Sequence, residues 1–196
     1  MKRILKALSA LALIAVLVGV APAADSYTLD GSHSDVNFTV SHMMISKVRG
    51  SFEDFQVDIK LDAADLAKSS VSAVIQAASI STTNEKRDEH LRSADFFETD
   101  TYPTITFTSR KIAKKGEQWV ATGDYTMHGV TKSIDLPFTL SGPIKDPWGG
   151  TRIGIETGLT INRQDYGLSW SNMMDGGGLV VGNDVTIEIH LEAVKQ

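Results

Sequence analysis

The 196-residue chain contains no cysteine. That removes disulfides, thiolate catalysis and thiolate metal ligation together, and with them a cysteine-linked lipid anchor. Stability must therefore come from a packed core. Basic side chains are also few, 19 against 24 acidic ones for a net charge of −5. Nucleic-acid affinity rests on Lys and Arg neutralising phosphates, so nucleic acid is a poor partner for this chain. The same balance argues against broad docking on an anionic membrane. Nor does any apolar run reach the ~20 residues that span a bilayer. The longest, ALSALALIAVLVGV, has 14 residues.

That run follows Lys2, Arg3 and Lys6 and precedes Ala21-Pro22-Ala23, the three-part pattern of a cleavable secretory leader. Cleavage is expected after Ala23, which makes residues 1–23 a signal peptide and residues 24–196 one domain of 173 residues. Losing three of the 19 basic residues leaves 16 against 24 acidic, a net charge near −8. The expectation is a soluble periplasmic protein.

Catalytic signatures are missing as well. There is no G-x-S-x-G elbow. His33 and Ser34 are adjacent, and neighbours on an extended chain point oppositely, so they do not form a nucleophile–base pair. Gly176-Gly177-Gly178 has no following Lys-Ser/Thr and reads as a loop, not a phosphate cradle. The five histidines, His33, His42, His90, His128 and His190, form no H-x-H or H-x-x-x-H pair, so no local zinc signature exists. His42 with Met43-Met44, and Met173-Met174 much later, offer soft ligands of the kind Cu(I) takes. The better reading of the methionines is a pliable rim on an apolar cavity, or ordinary gap-filling.

What the chain does have is period-two alternation. It runs through Val36-Phe38-Val40, Val57-Ile59-Leu61, Val71–Ala77, Ile105–Phe107, Trp119-Ala121-Gly123-Tyr125-Met127, Ile134-Leu136-Phe138-Leu140, Ile153–Ile161 and Val185–Leu191. These make about eight strands, each with one dry face, as in antiparallel sheets. The fold class is all-β, with short helices only around 63–68 and 84–92. Alternation alone fits either a sandwich or a closed barrel, and a barrel of eight strands can hold one small ligand.

The most charged segment, NEKRDEHLRSADFFETDTYP from Asn84 to Pro103, looks at first like an active site. Spacing disperses it. Thr82 and Glu85 fit a capping box, Asp88 with Arg92 and Lys86 with His90 fit i,i+4 pairs, and Asp88 and His90 face different sides. Leu91, Phe96 and Phe97 supply an anchoring side. The segment reads as a charged cap helix.

The same segment, with HSDVNFTVSHM, VRGSFEDFQVDI, GDYTMHGVTKSIDLPF, DPWGGTRIG and INRQDYGL, resembles the YceI-like family of bacterial periplasmic proteins. The resemblance covers essentially all of residues 24–196. It implies a lipocalin-like antiparallel β-barrel of about eight strands around an apolar cavity, and non-enzymatic binding of a long isoprenoid-type lipid, a polyprenyl phosphate or quinone. No cofactor is expected beyond that ligand. Within this reading the expected cavity wall is Phe38, Val40, Phe52, Phe55, Phe107, Ile134, Phe138 and Trp170, and the expected head-group or rim residues are His42, Met43, Arg49 and Arg163. Expected partners are the lipid, transient contacts with inner-membrane proteins, and either no second copy or one in a homodimer. A link to stress responses comes with the family. Two rival readings stand beside it: an isoprenoid-modifying or hydrolytic enzyme, which needs His42, His90 or His128 to meet carboxylates at the cavity, and a metal-binding stress protein.

Overall fold

The computed structural model describes residues 24–196, and the leader expected over residues 1–23 lies outside them. Eleven strands are present: β1 Asp25–Leu29, β2 Asp35–His42, β3 Ser46–Phe52, β4 Phe55–Leu61, β5 Ser70–Gln76, β6 Ile80–Ser81, β7 Thr104–Lys115, β8 Gln118–Met127, β9 Val130–Lys145, β10 Thr151–Asn162 and β11 Val181–Lys195. One α-helix, α1, spans Glu85–Arg92. Neighbours pair antiparallel in the order β1-β4-β5-β7-β8-β9-β10-β11, and β11 pairs back onto β1. Eight strands thus close a ring, which removes the free edges an open sheet would expose. Among the described residues no helix is long and apolar enough to cross a membrane.

The remaining strands continue three of the eight. A 3₁₀ turn at Gly31–His33 separates β1 from β2, and Glu53-Asp54 separates β3 from β4. Another at Ala77–Ser79 separates β5 from β6. Above these breaks β2 runs on β11, β3 on β2, and β6 on β3. The barrel is therefore an up-and-down meander whose first three strands are bent. We call the end with Asp25 and Lys195 the base and the end with α1 the top.

Two glycines let aromatic rings lie flat against the wall. A Cβ on Gly50 would collide with the Phe38 ring and the Ser81 carbonyl, and one on Gly123 with the Phe107 ring and the Thr108 carbonyl. Phe38 and Gly50 are direct cross-strand partners. Each ring takes the space of an absent side chain.

At the base, Arg152 of β10 ties three carboxylates together. Its guanidinium donates to Asp30 at 2.7 Å, Asp146 at 2.8 Å and Glu192 at 2.6 Å. Arg152, helped by His33 and the Ser32 N–H, holds the Asp30 carboxyl down at about 2, and the Arg152 bond lowers Asp146 as well. Both folded values lie below the unfolded ones. Their contribution to stability is thus complete at neutral pH and is lost as pH falls from 3.8 through about 2. In acid titrations followed by circular dichroism, Arg152→Ala should flatten the pH dependence of stability across that window. An unchanged slope would show that the cluster does not couple to folding.

The cap segment folds as a helix, but its local bonds differ from the expected ones. Asn84, not Thr82, is the N-cap, accepting the Arg87 N–H at 3.1 Å. Asp88 is buried and does not pair with Arg92. It accepts the Thr82 N–H at 2.9 Å and the Thr82 hydroxyl. Arg92 instead donates to the carbonyls of Ala78 and Ile80, and His90 meets Asp95, not Lys86. A lone surface ion pair gains little, whereas the carbonyls and N–H groups of the bent β5–β6 region need partners. The helix charges serve that backbone. Residues 66–68, in the other expected helical stretch, form only a 3₁₀ turn capped by Asp65.

Candidate functional site

Inward residues of the strands enclose two apolar chambers. The lower one, of about 140 Å³, is walled by Phe55, Val57, Ile59, Ala73, Phe107, Ile134, Leu136, Phe138 and Leu159 among others. The upper one, of about 90 Å³, lies beneath Leu91 of α1, Phe96, Phe97 and Leu168. Phe38, Phe52, Ile105, Tyr125 and Ile187 line both and form a waist between them. The rings of Phe38 and Phe52 lie 5.8 Å apart, and Phe52 meets Phe97 edge-on at 5.9 Å. An aromatic file therefore links the waist to the roof. The lower space alone has room for on the order of ten water molecules, yet offers them almost no polar partners.

Two polar groups break the apolar lining near the waist and roof. The Tyr125 hydroxyl donates only to the Met127 thioether at 3.4 Å, a weak acceptor. Burial pushes its phenol well above the usual value, with Tyr166 adding to the shift. Arg163 continues the inward series Leu159-Ile161 beyond the end of β10 and is 3 % exposed. It donates to the carbonyls of Gly182 at 2.9 Å and Leu168 at 2.5 Å, and to Asn183 Oδ1 at 3.2 Å. Its partners are neutral, and desolvation holds its pKa below the ordinary guanidinium value. An arginine does not give up its proton in proteins, so the upper chamber carries a positive charge balanced only by dipoles.

Of the eight expected wall residues, seven line a chamber and one does not. Phe38, Val40, Phe52, Phe55, Phe107, Ile134 and Phe138 line one or both chambers. Trp170 does not. It packs at the top against His90 and Phe96, with centroids 5.2 Å away in each case. It lies beyond the strands in an irregular segment, where alternation says nothing about facing. Of the expected head-group residues, only Arg163 reaches a chamber. His42 and Met43 stand at the top of β2, and Arg49 is exposed on the outer side of β3. Tyr125 lines both chambers without being among the expected residues, although the β8 alternation places it inward; a tyrosine on an otherwise apolar face is the signal that marks it.

The histidines named for acid–base chemistry lie elsewhere. His90 pairs with Asp95 on the surface, and His128 lies 3.8 Å from Glu98 beside Tyr102. Among the described residues, neither chamber is lined by a histidine or a carboxylate. Asp30, His33 and Glu192 cluster at the base, but Arg152 already spans Asp30 and Glu192. Met44 and Met174 flank Gly178 at the top, and none of Met43, Met44, Met173 and Met174 lines a chamber.

A family model described as YceI-like domain matches residues 27–193. UPF0312 protein SAS2572 of Staphylococcus aureus is 36% identical over 168 residues, covering 85% of this chain and 96% of that protein. The crystal structure of a Campylobacter jejuni YCEI protein superposes with a TM-score of 0.68 at 33% identity, over 87% of this chain and 98% of that one. A polyisoprenoid binding domain from Saccharophagus degradans superposes with a TM-score of 0.64 at 22% identity, over 87% and 98% of the two chains. That last likeness is one of fold.

Proposed function

The chain belongs to the YceI-like domain family, and on that premise we propose that it is a non-enzymatic binding and carrier protein for a long isoprenoid-type lipid, a polyprenyl phosphate or quinone, held inside the barrel. The observation that carries this reading is the pair of apolar chambers in line, with Tyr125 and Arg163 as the polar groups of the upper one. The Saccharophagus degradans domain, described as polyisoprenoid binding, supports the same ligand class.

An unbranching apolar tail suits such walls, because each buried CH₂ contributes ~0.8 kcal/mol. Part of that gain is lost in ordering the chain. The tail occupies the lower chamber, and a longer one threads the waist by turning Phe38 and Phe52. The head lies in the upper chamber, where the Tyr125 hydroxyl exchanges a thioether for a better acceptor and Arg163 favours negative or electron-rich oxygen. The leader pattern over residues 1–23 supports export to the periplasm, where such a lipid would need shelter from water. The histidine-and-carboxylate pairing that the catalytic reading requires is not found in the lining of either chamber among the described residues.

Protein purified from its own host, extracted with organic solvent and analysed by mass spectrometry, should yield about one isoprenoid per chain. Tyr125→Phe should weaken a prenyl quinone about fivefold, the worth of one hydrogen bond, and leave a headless prenyl hydrocarbon unaffected. Repeated lipid-free preparations that also ignore prenyl probes would end the carrier reading.

A further inference from the structure

Two turns stand side by side at the top of the barrel, and each presents large apolar side chains to solvent. The first, between β2 and β3, carries Met43, Met44 and Ile45, which are 41 %, 72 % and 86 % exposed. The second, over residues 172–180, carries Met173 at 76 %. They are joined into one platform: the Met43 N–H donates to the Val180 carbonyl at 2.8 Å, Val180 donates to Asn172 at 2.9 Å, and Val181 pairs with His42. Met44 reaches across to Gly178 beside Met174.

The first turn also departs from the usual turn chemistry. Met43 and Met44 have φ of 51° and 62°, the left-handed region that a two-residue hairpin turn reserves for Asn and Gly. Two bulky side chains there cost stability, roughly 1 kcal/mol or more each. Neither methionine is repaid by burial. Local rules broken without a stability gain mark a site under functional selection.

We infer that this double turn is the docking tip by which the protein inserts into a lipid bilayer surface. The inference rests on the carrier reading in one respect: a lipid cargo must be collected from a membrane. The geometry supplies the rest. The first turn, Met43-Met44-Ile45, carries no charge and exposes all three apolar side chains, which suits a fluid surface. Four side chains cannot supply the ~800 Å² per partner of a stable dimer. Lys47 and Arg49 are both exposed behind the apex on β3, cations on a chain whose net charge is negative. They sit at the depth of lipid phosphates when the apex enters the acyl boundary. Asp175 in the second turn is exposed and opposes an anionic surface, so insertion is chiefly apolar. The tip is also continuous with the upper chamber, since Val40 and Val181 line it and lie within a few residues of the apex.

The test uses the exported chain with vesicles of phosphatidylcholine alone and of phosphatidylcholine with phosphatidylglycerol. The wild type should co-float with both, with little response to salt. Met44→Asp combined with Ile45→Asp should reduce flotation at least tenfold, and Met173→Asp should do the same in part. The emission that Ile45→Trp adds to the wild-type spectrum should shift to the blue on vesicle addition and be quenched by brominated acyl chains. These variants should melt no lower than the wild type, since Asp tolerates the left-handed backbone at position 44 better than Met, and should bind a soluble short prenyl alcohol unchanged, so loss of docking is distinguished from loss of the cargo site. Flotation unaffected by the aspartates would overturn the inference. So would flotation seen only with phosphatidylglycerol and abolished by salt, or a solution dimer that the same aspartates dissolve.

Discussion

An Arg163→Leu protein is expected to melt roughly 10 °C below the wild type, a large shift for a domain of this size, where 1 kcal/mol moves the midpoint by about 2–4 °C. The magnitude follows from what the guanidinium holds. It is buried and donates to the carbonyls of Gly182 and Leu168 and to the Asn183 side chain. Hydrogen bonds to a charged group contribute about 1.5–3 kcal/mol each. Leucine restores apolar volume but leaves those acceptors buried and unmatched, so a net loss of about 3–5 kcal/mol is expected. Lysine should recover only part of it, because one ammonium cannot reach acceptors spread over three sides. The loss should be local before it is global. Residues 163–168 and the start of β11 are joined through this side chain, so their amides should lose hydrogen-exchange protection first. A calorimetric midpoint within 2 °C of wild type would show that water replaces the guanidinium without cost.

Strand facing was legible in the sequence because it follows from period two alone. Seven of the eight alternating stretches fall on the ring strands β4, β5 and β7 to β11, and the eighth falls on β2, which continues β1 past its bend; seven of eight expected wall residues line the interior. What escaped lies where that period breaks. β3 reads SKVRGSF, and its inward positions include Gly50, which packs by lacking a side chain. β1, a ring strand of five residues, and β6, a continuation of two, are too brief to show a period. Trp170 sits outside any strand, so its size suggested a wall that its backbone does not place. Closure itself depends on β11 pairing with β1, a contact between the two ends of the described chain that no local pattern encodes. Alternation left barrel and sandwich equal for that reason. The cap helix shows the same limit: its existence was local, but the partners of Asp88 and Arg92 belong to the bent β5–β6 region.

The alternation that places the wall also permits a test of the cargo site in which two neighbours should behave oppositely. Ala73 and Val74 are consecutive on β5. Ala73 lines the lower chamber beside its partner Phe107, whereas Val74 is 39 % exposed on the outside. Ala73→Trp puts an indole into a space of about 140 Å³, and prenyl binding should fall at least ~100-fold, the equivalent of losing several buried CH₂ groups. Because the ring enters a void and not packed side chains, the usual overpacking penalty of about 1–3 kcal/mol should be largely offset by its own burial. The melting temperature should therefore stay near wild type while binding is lost. Val74→Trp adds the same ring one residue away and should leave prenyl affinity unchanged. Wild-type affinity in both variants would mean that the ligand does not sit in the lower chamber. Loss in both would trace the effect to β5 itself, and only the opposed outcome ties binding to the interior face.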